Sequence, residues 1–322
     1  MRRKRLGVIG TFVWDTIYGR DPLAAPVEEW GGVTYALSGL DAALPDQWEI
    51  VPLIKVGSDL APQARQYLRQ IERVAADAAP IEVPYPNNRV ELRYETSERR
   101  CERLTGGIPG WSWLGLKPLL VDLDALYINF LSGWELDLET SLLIRQHFRG
   151  PIYCDLHMLV MSVQPGGLRA PQPLENVAEW CRCFDLLQVN EEEMTMMAPD
   201  PMALSATALA AGVRCLIVTL GGRGAVYVAP SDFERLSDIS ASGSLEAATG
   251  PIRTALVSTE GYVEGDPTGC GDVWGATFYS RMLAGDSLPE AMRIAHRAAA
   301  RNVMHRGATG LSRHLRGELI RR

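Results

Sequence analysis

Short apolar runs alternate with stretches of helical period along most of the chain. Leu6–Gly10 reads as a buried strand, Gly32–Leu44 as a helix with small and apolar residues on one side, and Ile50–Val56 as a second strand. Leu60–Ile71 follows as a helix, with Asp59 available as its N-cap. Further strands are predicted at Ala125–Asn129, Pro151–Asp155, Asp185–Val189 and Cys215–Thr219, with helical stretches such as Glu139–Phe148 and Pro201–Ala211 between them. This order predicts an α/β fold whose central sheet is mostly parallel and covered on both faces. Two helices, Gly271–Ala284 and Leu288–Met304, close the chain, with Gly285-Asp286 breaking between them.

One region departs from that pattern. In Glu82–Leu104, Val90, Leu92 and Tyr94 alternate with Arg89, Glu91, Arg93 and Glu95, a period of two that suits a half-exposed strand. Together with the polar segment Thr16–Trp30 it predicts a small β-sheet (residues 16–30 and 82–104) on a single α/β body spanning 1–322. Such a flap over a site would exclude water from a transfer reaction. An ordinary solvent-facing sheet is the other reading. Ser231–Gly250, rich in Ser, Ala and Gly, reads as a surface excursion.

Composition narrows the classes. The chain has 322 residues, 47% hydrophobic and 22% charged, which suits a soluble protein with a substantial core. A net charge of -7 without a basic stripe argues against nucleic acid as a partner. No apolar run approaches the ~20 residues of a membrane span. Arg2-Arg3-Lys4-Arg5 before apolar Leu6–Trp14 mimics a signal peptide, but Gly7 and Gly10 interrupt the run and Asp15 follows it, so a first strand is the better reading. The six cysteines lack paired zinc spacing; Cys181-x-Cys183 has no companion pair, and Cys154 and Cys215 fall in core strands. A reducing cytoplasm is expected.

The densest chemistry lies in Gly265-Asp266-Pro267-Thr268-Gly269-Cys270-Gly271-Asp272, three glycines and two aspartates in eight positions that run into a helix. Backbone N–H groups and the helix dipole there favour an anion, and Asp272 sets a carboxylate beside the same spot. An anion cradle next to a base suits phosphoryl transfer to a hydroxyl. Open α/β sheets bind ligands at the carboxyl ends of their strands. Asp15, Gly31-Gly32, Asn190 with Glu193, and the turn Thr219-Leu220-Gly221-Gly222-Arg223-Gly224 all fall at or near such ends. Each has a plainer reading: Asp15 as a turn cap, Gly31-Gly32 as a turn, Glu191–Glu193 as a solvated first helical turn, and Gly221–Gly224 as a hairpin. A nicotinamide-dependent dehydrogenase would need Gly-x-Gly-x-x-Gly after the first strand, which Gly7-Val8-Ile9-Gly10-Thr11-Phe12 does not supply.

In order from Gly10 to Gly310, these residues resemble the ribokinase/PfkB-like carbohydrate kinase family. The family's signature Asp-Thr-x-Gly-Ala-Gly-Asp stands as Asp266-Pro267-Thr268-Gly269-Cys270-Gly271-Asp272, its Asn-x-x-Glu as Asn190–Glu193, and its Thr-Leu-Gly-x-x-Gly as Thr219–Gly224. Asp15, Gly31-Gly32 and Lys55-Val56-Gly57-Ser58-Asp59 match more loosely, and Arg293–Ala308 is similar to the closing helix beside the adenine pocket. The resemblance implies a ribokinase-like three-layer sandwich with a β lid, and ATP-dependent phosphorylation of a hydroxymethyl group on a sugar-like substrate. It implies Asp272 as base, with the N–H groups of Gly269, Cys270 and Gly271 as anion hole. Asn190 and Glu193 would position Mg2+ through water. Thr219, Gly221 and Gly224 would contact the nucleotide, with His296 near adenine, and Asp15, Gly31 and Gly32 would hold substrate hydroxyls. Some relatives bind a monovalent cation (K+) near this loop, for which Asp266 and Thr268 are in place, and the lid edge often serves as a homodimer contact.

Two departures from the family pattern stand out. Many members carry a substrate-contacting Asn where this chain has Ala36, so one polar substrate contact is either missing or supplied by Tyr35 beside it. Cys270 replaces the usual Ala, and a thiol at a helix N-terminus is expected to have a lowered pKa and to be thiol-sensitive. Two alternatives accompany the sugar-kinase reading. One is a nucleoside kinase, with Phe12, Trp14, Trp30 and Tyr35 as candidates for a base pocket. The other is a catalytically silent sugar- or nucleotide-binding regulator, which would have lost the base or the glycines that this chain retains.

Overall fold

The computed structural model describes residues 2–18, 25–94, 100–239 and 250–318. Residues 19–24 and 95–99 of the expected lid, and 240–249 of the expected excursion, lie outside the described residues. The main sheet has eight strands. From edge to edge they are Ile252–Val257, Ala225–Pro230, Cys215–Thr219, Leu186–Asn190, Ile152–Asp155, Ala125–Asn129, Lys4–Ile9 and Trp48–Leu53. The six from Cys215–Thr219 to Trp48–Leu53 run parallel; Ala225–Pro230 pairs antiparallel with Cys215–Thr219, and Ile252–Val257 antiparallel with Ala225–Pro230. Successive side chains enter opposite faces. Leu6 and Val8 join one buried cluster with Tyr127, Tyr153 and Leu186, while Ile9, Ile128, Cys154 and Leu187 join the other. Helices Val33–Ala43, Cys270–Ala284 and Leu288–Val303 cover the first face, and Leu138–His147 and Pro201–Ala210 the second. That is the three-layer sandwich expected from the alternation.

Glycines decide how closely the site helix lies on the sheet. A Cβ at Gly275 would overlap the Tyr153 hydroxyl, and one at Gly39 would fall 2.9 Å from the Ala276 Cβ. The helix Cys270–Ala284 therefore sits directly against both the sheet and the helix Val33–Ala43. On the opposite face, Arg145 and Asp185 form a buried ion pair at 2.8 Å, their side chains 9% and 4% exposed. Asp185 Oδ2 also accepts from the Ile152 N–H at 2.7 Å, pinning the start of a core strand. Removing one partner of such a pair leaves a buried charge, so Asp185→Ala is expected to cost about 3–5 kcal/mol, read from urea unfolding.

Three local expectations are corrected. Asp59 does not cap its helix, which spans Ala61–Leu68 with Leu60 at the N-cap. Its carboxylate instead accepts from the Asn87 N–H at 2.8 Å and pairs with Arg89 at 2.7 Å, which ties this corner to the smaller sheet. The chain does not close on two helices. A third, Leu311–Arg316, follows, held by Ser312 and Arg316 on the buried Asp41. It is too short to show a helical period in sequence. The third correction is a hairpin, Met161–Val163 with Arg169–Pro171, that the alternation of elements did not reveal.

The smaller sheet has the strand order Val27–Gly32, Phe12–Tyr18, Arg89–Tyr94 and Arg100–Thr105. The period of two is realised: Val90 and Leu92 are buried with Val13 and Leu104 on one face. The new hairpin extends this sheet beyond its Arg100–Thr105 edge. The Leu104 N–H donates to Gly167 O at 2.8 Å, and Arg103 bridges Leu168.

Candidate active site

The strand ends of the main sheet open onto one cavity of about 640 Å³. Its walls come from the end of Ile152–Asp155 (Asp155, His157), the end of Leu186–Asn190 (Gln188, Asn190, Glu193) and the end of Cys215–Thr219 (Thr219, Gly221). The loop Pro267–Asp272 closes one side, and Val13, Asp15, Val90 and Leu92 of the smaller sheet close another. The apolar face of that sheet is thus turned to the cleft. Gly32 and Tyr35 also line the cavity.

The glycine-rich loop has the geometry the sequence anticipates, with one change. Gly269 is the N-cap of the helix Cys270–Ala284 at φ 73°, a conformation that favours glycine, and a Cβ there would overlap the Tyr35 ring. Tyr35 therefore packs beneath the loop as well as lining the cavity. Asp266 Oδ1 accepts from the Thr268 N–H at 2.9 Å, and Asn302 Nδ2 donates to Thr268 O at 2.8 Å. Both expected cation ligands thus already take part in the loop's own hydrogen bonds. The change concerns the anion hole. The Cys270 N–H donates to Pro267 O at 3.1 Å, which leaves Gly269 and Gly271 as the candidate donors. The lowered thiol pKa is also corrected. Burial pushes Cys270 up to about 11, and its Sγ lies against Ala299 O and Asn302 Nδ2.

Asp272 stands in the first turn of that helix with its Oδ1 accepting from Asn129 Nδ2 at 2.6 Å. Burial raises its pKa above the usual carboxylate range; the His157 charge and the Asn129 hydrogen bond offset this in part, and Glu193 adds to it. Asp155 is raised as well, chiefly by burial. Between these carboxylates sits His157, at φ 36°, with Nδ1 3.3 Å from Glu193 Oε1. Burial alone would lower its pKa. The Glu193 hydrogen bond and charge, with Asp272 and Asp155, outweigh burial and push it up to about 10. The cluster is three acids around one imidazole.

Asn190 and Glu193 are brought together, but first of all as a cap. Asn190 Oδ1 accepts from the Glu193 N–H at 2.8 Å, and Glu193 Oε2 accepts from the Asn190 N–H at 2.9 Å. Glu193 Oε1 also accepts from Asn190 Nδ2 at 2.7 Å. Among the described residues no group of three or more His, Cys, Asp or Glu is arranged to hold a metal. Mg2+ does not require such a cage, since it is held through one or two carboxylates, waters and substrate phosphates. The Asp155 and Glu193 carboxylates on the cavity wall fit that mode.

The remaining sequence candidates divide. Thr219 and Gly221 line the cavity, while Gly224 ends the hairpin turn at φ 109°, packed on the backbone of Val257. Gly31 leaves room for Asp15: a Cβ there would overlap the Asp15 carboxylate. Asp15 itself lies within the strand Phe12–Tyr18 rather than in a loop. His296 lines a second pocket of about 550 Å³ with Tyr227, Val257 and Tyr262. Its Nδ1 accepts from Trp274 Nε1 at 2.9 Å, and its Nε2 lies 2.9 Å from Val257 O. Ala36 is fully buried in the core, and of the four aromatic candidates for a base pocket only Tyr35 lines the cavity. Sequence reasoning missed Asn129, Asp155, His157 and Gln188. All stand at or just past strand ends that the sequence did predict, so the same rule applied to every strand would have found them.

Comparison with known proteins agrees with this geometry. Residues 161–314 match the pfkB family carbohydrate kinase family. No curated protein sequence matches the chain. Similar solved structures include a sulfate complex of a pyrophosphate-dependent kinase in the ribokinase family (TM-score 0.70, 16% identity, covering 94% of this chain and 96% of that one). Ribokinase from Thermotoga maritima gives a TM-score of 0.66 at 17% identity, covering 98% of each chain. A Burkholderia thailandensis nucleoside kinase in complex with inosine gives 0.67 at 14%, covering 96% and 94%. No helix among the described residues is long and apolar enough to cross a membrane. By sequence, residues 161–314 thus match the pfkB carbohydrate kinase family model, and nearly the whole chain shares its fold with ribokinase-family kinases.

Proposed function

We propose that the chain is an ATP-dependent kinase that transfers the γ-phosphoryl group to a hydroxymethyl group of a sugar or sugar-like molecule, with Asp272 as general base. One observation carries this reading: a carboxylate of raised pKa stands in the first turn of a helix whose glycine-rich N-terminus opens on the same cavity as Asp15. A carboxylate pushed up by burial is a stronger base than a solvated one, and it lies where an acceptor hydroxyl would meet the phosphoryl group. Gly269 and Gly271 supply N–H groups to the anionic oxygens. The pocket lined by His296, Tyr227 and Tyr262 supports a nucleotide donor, since bare pyrophosphate would have no use for it. Mg2+ carried by the donor phosphates would be held by Asp155 and Glu193 and would neutralise developing charge. His157, held by Glu193, would add a positive charge near the base when protonated.

A kinase of this kind should release ADP from Mg-ATP only when an acceptor is present. A panel of sugars, sugar acids, polyols and nucleosides tests this, and silence across the panel with ATP binding intact would favour the regulatory alternative. The pH profile adds a second check. Asp272 must be ionised to act, so kcat/KM should rise with pH through a limb above the ordinary carboxylate range. The His157 cation helps keep Asp272 ionised, so His157→Gln should move that limb to higher pH. A limb that stays in place, or moves down, contradicts the assignment.

A further inference from the structure

One buried polar side chain beneath the cleft takes no part in the chemistry above: Gln188, in the strand Leu186–Asn190 and 2% exposed. Both ends of its amide are used. Oε1 accepts from the Tyr153 hydroxyl at 2.5 Å, and Nε2 donates to Asp155 Oδ2 at 3.1 Å and to Gly271 O at 3.3 Å. An ionised carboxylate and a carbonyl offer only lone pairs, while a tyrosine hydroxyl has a proton to give. These partners fix which end of the amide points where. The helix Cys270–Ala284 leaves room for the arrangement. A Cβ at Gly275 would fall 2.3 Å from the Tyr153 hydroxyl and 2.8 Å from Gln188 Oε1. The helix thus meets this polar pair twice, at Gly271 O and at Gly275, one turn apart.

The two acceptors of Nε2 belong to different elements, and both bear on the transfer. Asp155 ends the strand Ile152–Asp155 and lines the cavity. Gly271 O belongs to the peptide unit that leads into Asp272. Asp272 is held at two further points: Asn129 Nδ2 donates to its carboxylate at 2.6 Å, and the Tyr127 hydroxyl to its carbonyl at 3.5 Å. Those bonds fix its side chain and the peptide after it. The Gln188 bond fixes the peptide before it and ties that peptide to Asp155. Neither a carboxylate nor an alkyl chain at position 188 could serve, since the two acceptors need a donor group with two hydrogens.

We propose that Gln188 is a positioning residue: its amide sets the spacing between Asp155 and the Gly271–Asp272 peptide, and the Tyr153 hydroxyl holds the amide in place. This rests on Asp272 as base in the kinase reading above. The test is steady-state kinetics with Mg-ATP and acceptors from the panel above, among them D-ribose, myo-inositol, D-gluconate and inosine. It compares the wild-type chain with Gln188→Met, Tyr153→Phe, the double variant and Asp272→Asn. Gln188→Met keeps the length of the side chain and loses both donated bonds, one of them to a carboxylate. Its kcat should fall about tenfold to a hundredfold, with the KM values for ATP and acceptor unchanged. Tyr153→Phe should lose roughly fivefold in kcat, the worth of one neutral hydrogen bond. In the Gln188→Met background it should cost nothing more, because the hydroxyl acts through the amide.

A merely structural role would lower the unfolding temperature and leave kcat at the wild-type level in folded protein. Tyr153→Phe carries the test if Gln188→Met does not fold, since it removes one hydroxyl and keeps the ring. Unchanged kcat in the folded variants, or independent losses in the double variant, overturns the proposal; if Asp272→Asn is silent, the kinase stands. No acceptor-dependent turnover by the wild-type chain, or full activity of Asp272→Asn, overturns both.

Discussion

Asp272→Asn should lose ~10²–10⁴-fold in kcat, the usual worth of a general base. The substitution keeps the size of the side chain, and its amide oxygen still accepts from Asn129 Nδ2, so the loop should hold its shape. ATP should bind as tightly as before or tighter, because a carboxylate that faces the phosphates has been neutralised. Calorimetric titration with Mg-ATP and a turnover assay on one preparation separate these effects. Activity within a few-fold of wild type would remove Asp272 from the role of base. Loss of ATP binding together with turnover would mean that the carboxylate supports the site and not the proton transfer.

The second large effect is expected at Gly269→Ala. This residue sets the first backbone group of the anion cradle and lies at φ 73°. A left-handed conformation costs a residue with a Cβ roughly 1–2 kcal/mol, and the added atom would also overlap the Tyr35 ring. The helix start can relieve both only by moving, which shifts the donors away from the oxygens they face. Misplacing one such donor typically costs on the order of 10²–10³ in kcat. A double variant, Gly269→Ala with Tyr35→Ala, separates the two causes. It removes the overlap and leaves the dihedral strain, so it should recover part of the stability and little of the rate. Full recovery of both would place the whole effect in the ring contact and none in the cradle.

The parts of the fold legible in sequence were those with long, clean periodicity. The strands Ala125–Asn129 and Cys215–Thr219 were predicted with the bounds they have, because each is a short apolar run between turn signals. The hairpin Met161–Pro171 was not, since its two strands have three residues each and no alternation to read. The loop Gly265–Asp272 was legible because few other roles require so many glycines and aspartates before a helix. His157 was not legible. Its raised pKa comes from Glu193, Asp272 and Asp155; Asp155 is two residues away, but Glu193 and Asp272 lie far along the chain and meet it only in the folded sheet. Cys270 failed for the converse reason. Its place at a helix N-terminus suggested a lowered thiol pKa, but burial pushes it up. Asn190–Glu193 was legible as a motif, yet its first structural role is the capping box at the start of a helix.

The central claim is that this cleft passes the γ-phosphoryl group of ATP to an acceptor hydroxyl. The most direct measurement is a single-turnover experiment with γ-labelled ATP, Mg2+ and the panel of sugars, sugar acids, polyols and nucleosides, following the label by mass spectrometry. The account predicts label on an acceptor hydroxymethyl oxygen with stoichiometric ADP, and none of this in Asp272→Asn. Label that stays in ATP or appears only as inorganic phosphate, with every acceptor unmodified, would contradict it.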